Sequence, residues 1–98
     1  MTELQVIARH TIAPGNEEEI RGFYAKLVEA ALTEPGCLGF EVYHQVGDER
    51  EVVLLERYAS REAFDVHRGT PHFKELVLGE IVPRLAHRTV ETFDVPDA

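Results

Sequence analysis

The sequence predicts an α+β fold with elements in the order β-α-β-β-α-β. Three observations carry this. Residues Leu4 to Ile12 alternate apolar and polar, and an apolar stripe at helical spacing follows from Ile20 to Ala31. Two further alternating runs fill the middle of the chain. A helix–break–helix segment, Phe64 to Phe73, then precedes one last strand. This order is the split βαβ, ferredoxin-like arrangement: one four-stranded antiparallel sheet with helices on one face. At 98 residues the chain is read as a single domain, residues 1–98, with 44% hydrophobic content supporting a small core.

In the first strand, Leu4, Val6, Ala8, His10 and Ile12 share one face. Pro14-Gly15 ends it. Asn16 and Glu19 form a capping-box pattern, and Glu17, Glu18 and Glu19 place negative charge at the positive helix end. Ile20, Phe23, Tyr24, Leu27, Val28 and Ala31 are the sheet-facing stripe, and Glu34-Pro35-Gly36 stops the helix.

The second strand runs from Cys37 to Val46, with Leu38, Phe40, Val42 and Val46 on one side and Gly39, Glu41, Tyr43 and Gln45 on the other. Gly47 to Arg50 reads as a polar turn, and Glu51 to Ala59 as the third strand. Val52-Val53-Leu54-Leu55 is apolar on both faces, so both need cover. With helices on one side only, the second cover is a copy of the same chain, and two such faces close into a barrel across a dimer axis.

Ser60 caps a short helix reaching Arg68, and Gly69 fits its C′ position. Thr70 is the next N-cap and Pro71 the first helical residue, with Phe73, Leu76, Val77 and Ile81 as the apolar stripe. Pro83 ends or kinks this helix, Thr89 to Val95 is the last strand, and Pro96-Asp97-Ala98 is a tail.

Eighteen acidic against ten basic residues give a net charge of −8, which argues against nucleic acid and anionic membranes as partners. No run approaches the ~18 apolar residues of a membrane span, and no basic leader precedes the first strand. A soluble, cytoplasmic protein is expected. The one cysteine, Cys37, reads as a small packed residue.

No GxSxG, CxxC, GxGxxG or P-loop motif is present. His67 and His72 lie five apart across a break, which does not fit HExxH zinc chemistry, and no spacing supports a metal site from His10, His44, His67 and His72. His67 shares the helical face of Ala63 and Phe64 and should point inward, either bonded to a backbone carbonyl or lining a pocket. His72, in a first helical turn, is disfavoured as a cation there. His10 lies in register with an apolar face, while His44 and His87 read as exposed. Glu56 interrupts an apolar face and calls for a partner, Arg9, Arg84 or Arg88, unless it serves as a general base.

Pro14-Gly15, Pro35-Gly36-Cys37-Leu38-Gly39-Phe40, Leu55-Glu56-Arg57-Tyr58, Ala63 to His67 and Thr70-Pro71-His72-Phe73 follow one another in an order that resembles the antibiotic biosynthesis monooxygenase family over nearly the whole chain. The resemblance implies a dimeric α+β barrel with a cavity in each subunit between sheet and helices. It implies small oxygenases that oxidise quinols or polycyclic phenols without metal, flavin or haem, although other members degrade haem or process a signalling molecule. The Thr70-Pro71-His72-Phe73 stretch with His67 before it looks most like the quinol-monooxygenase branch. Ala8, His67 and Val77 stand where the haem-degrading branch has asparagine, tryptophan and histidine, and the chain has no tryptophan.

The expected function is a cofactor-independent monooxygenase taking a small electron-rich aromatic, a quinol or phenol, and molecular oxygen. His67 is the first candidate for base, followed by His72 and His10. Phe40, Phe73 and Leu76 supply apolar walls, and Tyr43 and Glu56 complete the substrate contacts. A dimeric binding module without chemistry, or an isomerase of a small oxo compound, are the alternatives, since fold does not fix function.

Overall fold

A computed structural model describes residues 2–96. The elements are β1 (Glu3–Ile12), α1 (Glu17–Ala31), β2 (Cys37–Gln45), β3 (Asp48–Tyr58), α2 (Arg61–Arg68), a π-helix (Phe73–Ile81), a 3₁₀ turn (Val82–Arg84) and β4 (Leu85–Val95). The strands form one sheet in the order β2-β3-β1-β4, every pair antiparallel. This is the predicted ferredoxin-like arrangement.

Alternation in β1 buries Leu4, Val6, Ala8, His10 and Ile12 against the helices. Their partners in β3 place Val52, Leu54, Glu56 and Tyr58 on the same side. Ile20, Tyr24, Leu27 and Ala31 of α1, with Val77 and Ile81 of the π-helix, close the larger core. Leu4, Val6 and Tyr58 form a second cluster that packs against Ala63 and Phe64 of α2. No helix covers β4, which is exposed along nearly its whole length.

Among the described residues, no element covers the opposite sheet face. Register places Tyr43, Val53 and Arg9 in one row, Glu41, Leu55 and Ile7 in the next, and Gly39, Arg57, Gln5 and Phe93 in a third. Arg57 holds Glu3 at 2.9 Å on this face, so its apolar centre is Ile7, Val53 and Leu55.

Several local expectations are corrected. Asn16 makes no side-chain cap, and the Glu17 carboxylate accepts the N–H of Gly15, one residue before the cap, at 3.1 Å. Gly47, at φ +89°, makes a tight turn, so β3 starts at Asp48 and the polar stretch is strand. A register shift between Cys37 and Gly39 turns Leu38 outward, and Val46 lies in the turn, fully exposed. Gly69 has φ −92° and uses no left-handed conformation. β4 begins at Leu85 rather than Thr89. Of the expected tail, Asp97 and Ala98 lie outside the described residues.

Ser60 and Thr70 act as expected. The Ser60 hydroxyl accepts the Ala63 N–H at 3.1 Å. The Thr70 hydroxyl accepts the Phe73 N–H at 3.2 Å and donates to the His67 carbonyl at 2.7 Å, stitching the two helices together. The second of them widens into a π-helix, a form that recurs at functional sites.

Gly36 fixes the position of α2. Its carbonyl accepts the Ala59 N–H at 2.9 Å, and a Cβ on it would sit 2.5 Å from the Ala63 Cβ. Gly36→Ala is therefore expected to cost about 1–3 kcal/mol, by overpacking α2 against the loop before β2. Chemical denaturation would measure it, and an unchanged midpoint would refute the close approach.

Candidate functional site

A cavity of about 320 Å³ lies between the sheet and the helices. β1 lines it with Val6, Ala8 and His10, β2 with Phe40, and β3 with Leu54 and Glu56. α2 adds Phe64 and His67, and the π-helix adds Phe73 and Val77. The side next to uncovered β4 is closed only by Arg88, Val90 and Thr92. The walls are mainly apolar with a few convergent polar groups, the usual make-up of a small-molecule site.

His67 is the centre of the polar set. Its ring is 2% exposed and surrounded by Phe40, Tyr58, Phe64 and Phe73, with centroids 5.3 to 6.3 Å away. Nδ1 lies 2.8 Å from Glu34 Oε2, and Nε2 lies 4.0 Å from Glu56 Oε1. A carboxylate only accepts, so Nδ1 carries the hydrogen and the neutral ring keeps its lone pair at Nε2, towards Glu56 and the cavity. Burial lowers the His67 pKa below the usual histidine value, and the Glu34 carboxylate works in the opposite direction. The pair is therefore a hydrogen bond to a neutral imidazole rather than a standing ion pair.

Glu34 Oε2 also receives His72 Nε2 at 2.6 Å. Exposure rises outward along this row: 2% for the His67 side chain, 8% for Glu34 and 22% for His72. Glu34 Oε1 is buried with no hydrogen-bond partner among the described residues. Glu34, His67 and His72 are also the set that could hold a divalent metal, with ligand atoms within 4.8 Å of one another. To bind one, both imidazoles would have to give up the hydrogens they now donate to Glu34.

Glu56 is 6% exposed and takes the Tyr58 hydroxyl hydrogen at 2.6 Å. Burial raises its pKa to about 7, against the lowering effects of Tyr58 and Arg88. Its expected arginine partner is corrected: Arg9 pairs with Glu91, and Arg84 with Glu19 and Glu80. Arg88 shares the cavity with Glu56 without forming an ion pair.

His10 is buried, with Nδ1 2.6 Å from the Tyr24 hydroxyl. Burial, then the charge of Arg88, lowers its pKa to about 4, and burial raises that of Tyr24. Both groups are therefore neutral and share one hydrogen: with Tyr24 O–H donating, His10 presents Nε2–H, and with Nδ1–H donating, it presents a lone pair at Nε2.

Of the residues picked from the sequence, His67, His10, Glu56, Phe40 and Phe73 line the cavity. His72 sits behind Glu34, off the cavity wall. Leu76 packs at the edge of the core beside it. Tyr43 is half exposed on the bare sheet face, bonded to Glu41 at 2.8 Å, and is corrected as a cavity residue. His44 and His87 are exposed as expected, and Cys37 packs against both core clusters. Sequence reasoning missed Glu34, which reads as a helix stop, and named Arg88 only as a partner for Glu56, since it lies before the expected start of the last strand.

The antibiotic biosynthesis monooxygenase family matches residues 4–77. The chain is 36% identical over 87 residues to "Putative monooxygenase Rv0793" of Mycobacterium tuberculosis, covering 87% of this chain and 85% of that protein. The solved structure of Rv0793 superposes with a TM-score of 0.87 at 30% identity, over 98% of this chain and 97% of that one. A crystal structure described as an antibiotic biosynthesis monooxygenase gives 0.89 at 32% identity, over 96% and 99% of the two chains.

Proposed function

The chain belongs to the antibiotic biosynthesis monooxygenase family, and from that membership we propose that it oxidises a small electron-rich aromatic, a quinol or phenol, with molecular oxygen and no cofactor. The observation that carries this reading is the Glu34–His67 pair, which aims an unprotonated Nε2 towards a mainly apolar cavity.

His67 takes the phenolic proton at Nε2, and the Glu34 carboxylate, held by His72, stabilises the imidazolium that forms. The resulting phenolate is the electron donor to oxygen. One oxygen atom ends in the ring as a carbonyl or hydroxyl, and the other leaves with two substrate hydrogens as water. His10 Nε2–H donates to a substrate oxygen, and Phe40 and Phe73 flank the ring. The active form is a homodimer closed through the bare sheet face, opposite the cavity.

The test is oxygen uptake with freshly reduced menadiol and with an anthrone, in chelator-treated buffer, after subtraction of autoxidation. Uptake well above background is expected for at least one of them. No excess uptake with either would overturn the assignment to quinols and phenols.

One observation favours a second reading. Glu56, with its pKa near 7, stands 4.0 Å from a neutral His67, and such an acid–base pair also suits isomerisation of a small oxo compound. Turnover that survives the removal of oxygen would select it.

A further inference from the structure

We propose that the β4 side of the cavity is an anion subsite, in which Arg88 receives a carboxylate borne by the aromatic substrate. This names the substrate class for the cavity and rests on reading that cavity as the substrate site.

Two arginines line the cavity, and only one is committed. Arg68 is paired with Asp65 and lies over the Phe64 ring, 4.6 Å from its centroid. Arg88 has no carboxylate within ion-pair distance among the described residues, unlike Arg9, Arg57, Arg61 and Arg84, and of the unpaired arginines Arg21, Arg50 and Arg88 it is the one that lines this cavity. In a chain of net charge −8, an uncommitted guanidinium on a cavity wall is the feature that would draw in an anion.

Strand geometry puts it in place. Arg88, Val90 and Thr92 stand opposite His10, Ala8 and Val6 in the β1–β4 register, so all three face the helix side. Neighbours on one strand face are about 7 Å apart. A ring resting on Val90 therefore has a fork of N–H donors on one side and a hydroxyl on the other. The guanidinium matches a carboxylate in two parallel hydrogen bonds. Its charge is already felt at His10 and Glu56, across the same cavity. Dimerisation through the opposite sheet face leaves this wall free.

The test is a binding measurement that needs no turnover: calorimetry of the full chain with 2-naphthoate, its neutral isostere 2-naphthamide, and 2-naphthol at pH 7. The wild type is expected to bind the carboxylate about tenfold more tightly than the amide, less so at high salt. Arg88→Gln should abolish that preference and leave the amide unaffected, while Arg88→Lys keeps part of it. Equal affinity for acid and amide, or a preference that persists in Arg88→Gln, overturns the proposal. It is also overturned if Arg88→Gln weakens 2-naphthol as much as 2-naphthoate, because the guanidinium would then serve the reacting oxygen. With oxygen excluded none of these ligands is consumed, so failed oxygen uptake leaves this result standing, and a failure here leaves the oxygenase reading untouched.

Discussion

His67→Ala is expected to lower kcat about 10²–10⁴-fold on whichever aromatic substrate supports oxygen uptake, the usual worth of a positioned general base. The size follows from the surroundings of the ring. Among the cavity's polar groups, His67 is the one whose hydrogen is anchored on a carboxylate while its lone pair points inward. His10 is bonded to the neutral Tyr24 hydroxyl and has no carboxylate to stabilise an imidazolium. Alanine also leaves a void among four aromatic rings, so His67→Gln, which keeps most of the volume, is the companion variant. Both should melt as folded proteins and both should be slow. Near wild-type rates in both would remove His67 from the mechanism.

The same experiment assigns Glu34. The pH profile of kcat/KM should have an acid limb below the usual histidine value of about 6.5, because burial lowers the His67 pKa. Glu34 counteracts that burial effect, so Glu34→Gln should move the limb further to the acid side and slow the plateau. A limb that stays where it was would mean that Glu34 holds the ring without tuning it.

Leu55→Glu is expected to convert a dimer into a monomer of 11.1 kDa by light scattering, with no loss of secondary structure. Leu55 lies beside Ile7 at the centre of the uncovered sheet face, with Val53 next to them. In a two-fold pairing through this face, each added carboxylate would be buried in an apolar contact whose neighbouring cations, Arg9 and Arg57, are already paired with Glu91 and Glu3. If the wild type is already monomeric at micromolar concentration, the face needs no partner. A Leu55→Glu protein that remains dimeric would place the interface elsewhere.

The fold was largely legible in the sequence, because β1 and α1 announce themselves by period and the Ser60 and Thr70 caps by chemistry. Tyr43 shows how far alternation reaches. It sits opposite Phe40 and Val42 in the strand pattern, and the structure puts it on the opposite face. Local signals failed where a competing group won. The Asn16 side chain turned back to the Ala13 carbonyl instead of capping α1, and Gly47 let the hairpin tighten so that polar residues became strand. The apolar positions Phe73, Val77 and Ile81 fit a helix of either width, so periodicity alone could not reveal the π-helix. The site was half legible. Histidines on either side of a break mark a place, but a carboxylate more than thirty positions upstream is tied to them only through the packing of α2 against Gly36.

β4 has a consequence for how such a protein could change. It pairs with β1 alone, lies under no helix, and forms a rim of the cavity. The proton-handling row is built from β3, α2 and the loop after α1. Alterations at Val90 or Thr92 would therefore reshape what is admitted without disturbing how it reacts. On the proposed mechanism, selectivity and reactivity would occupy separable parts of the architecture, and a new substrate could be acquired through a single strand.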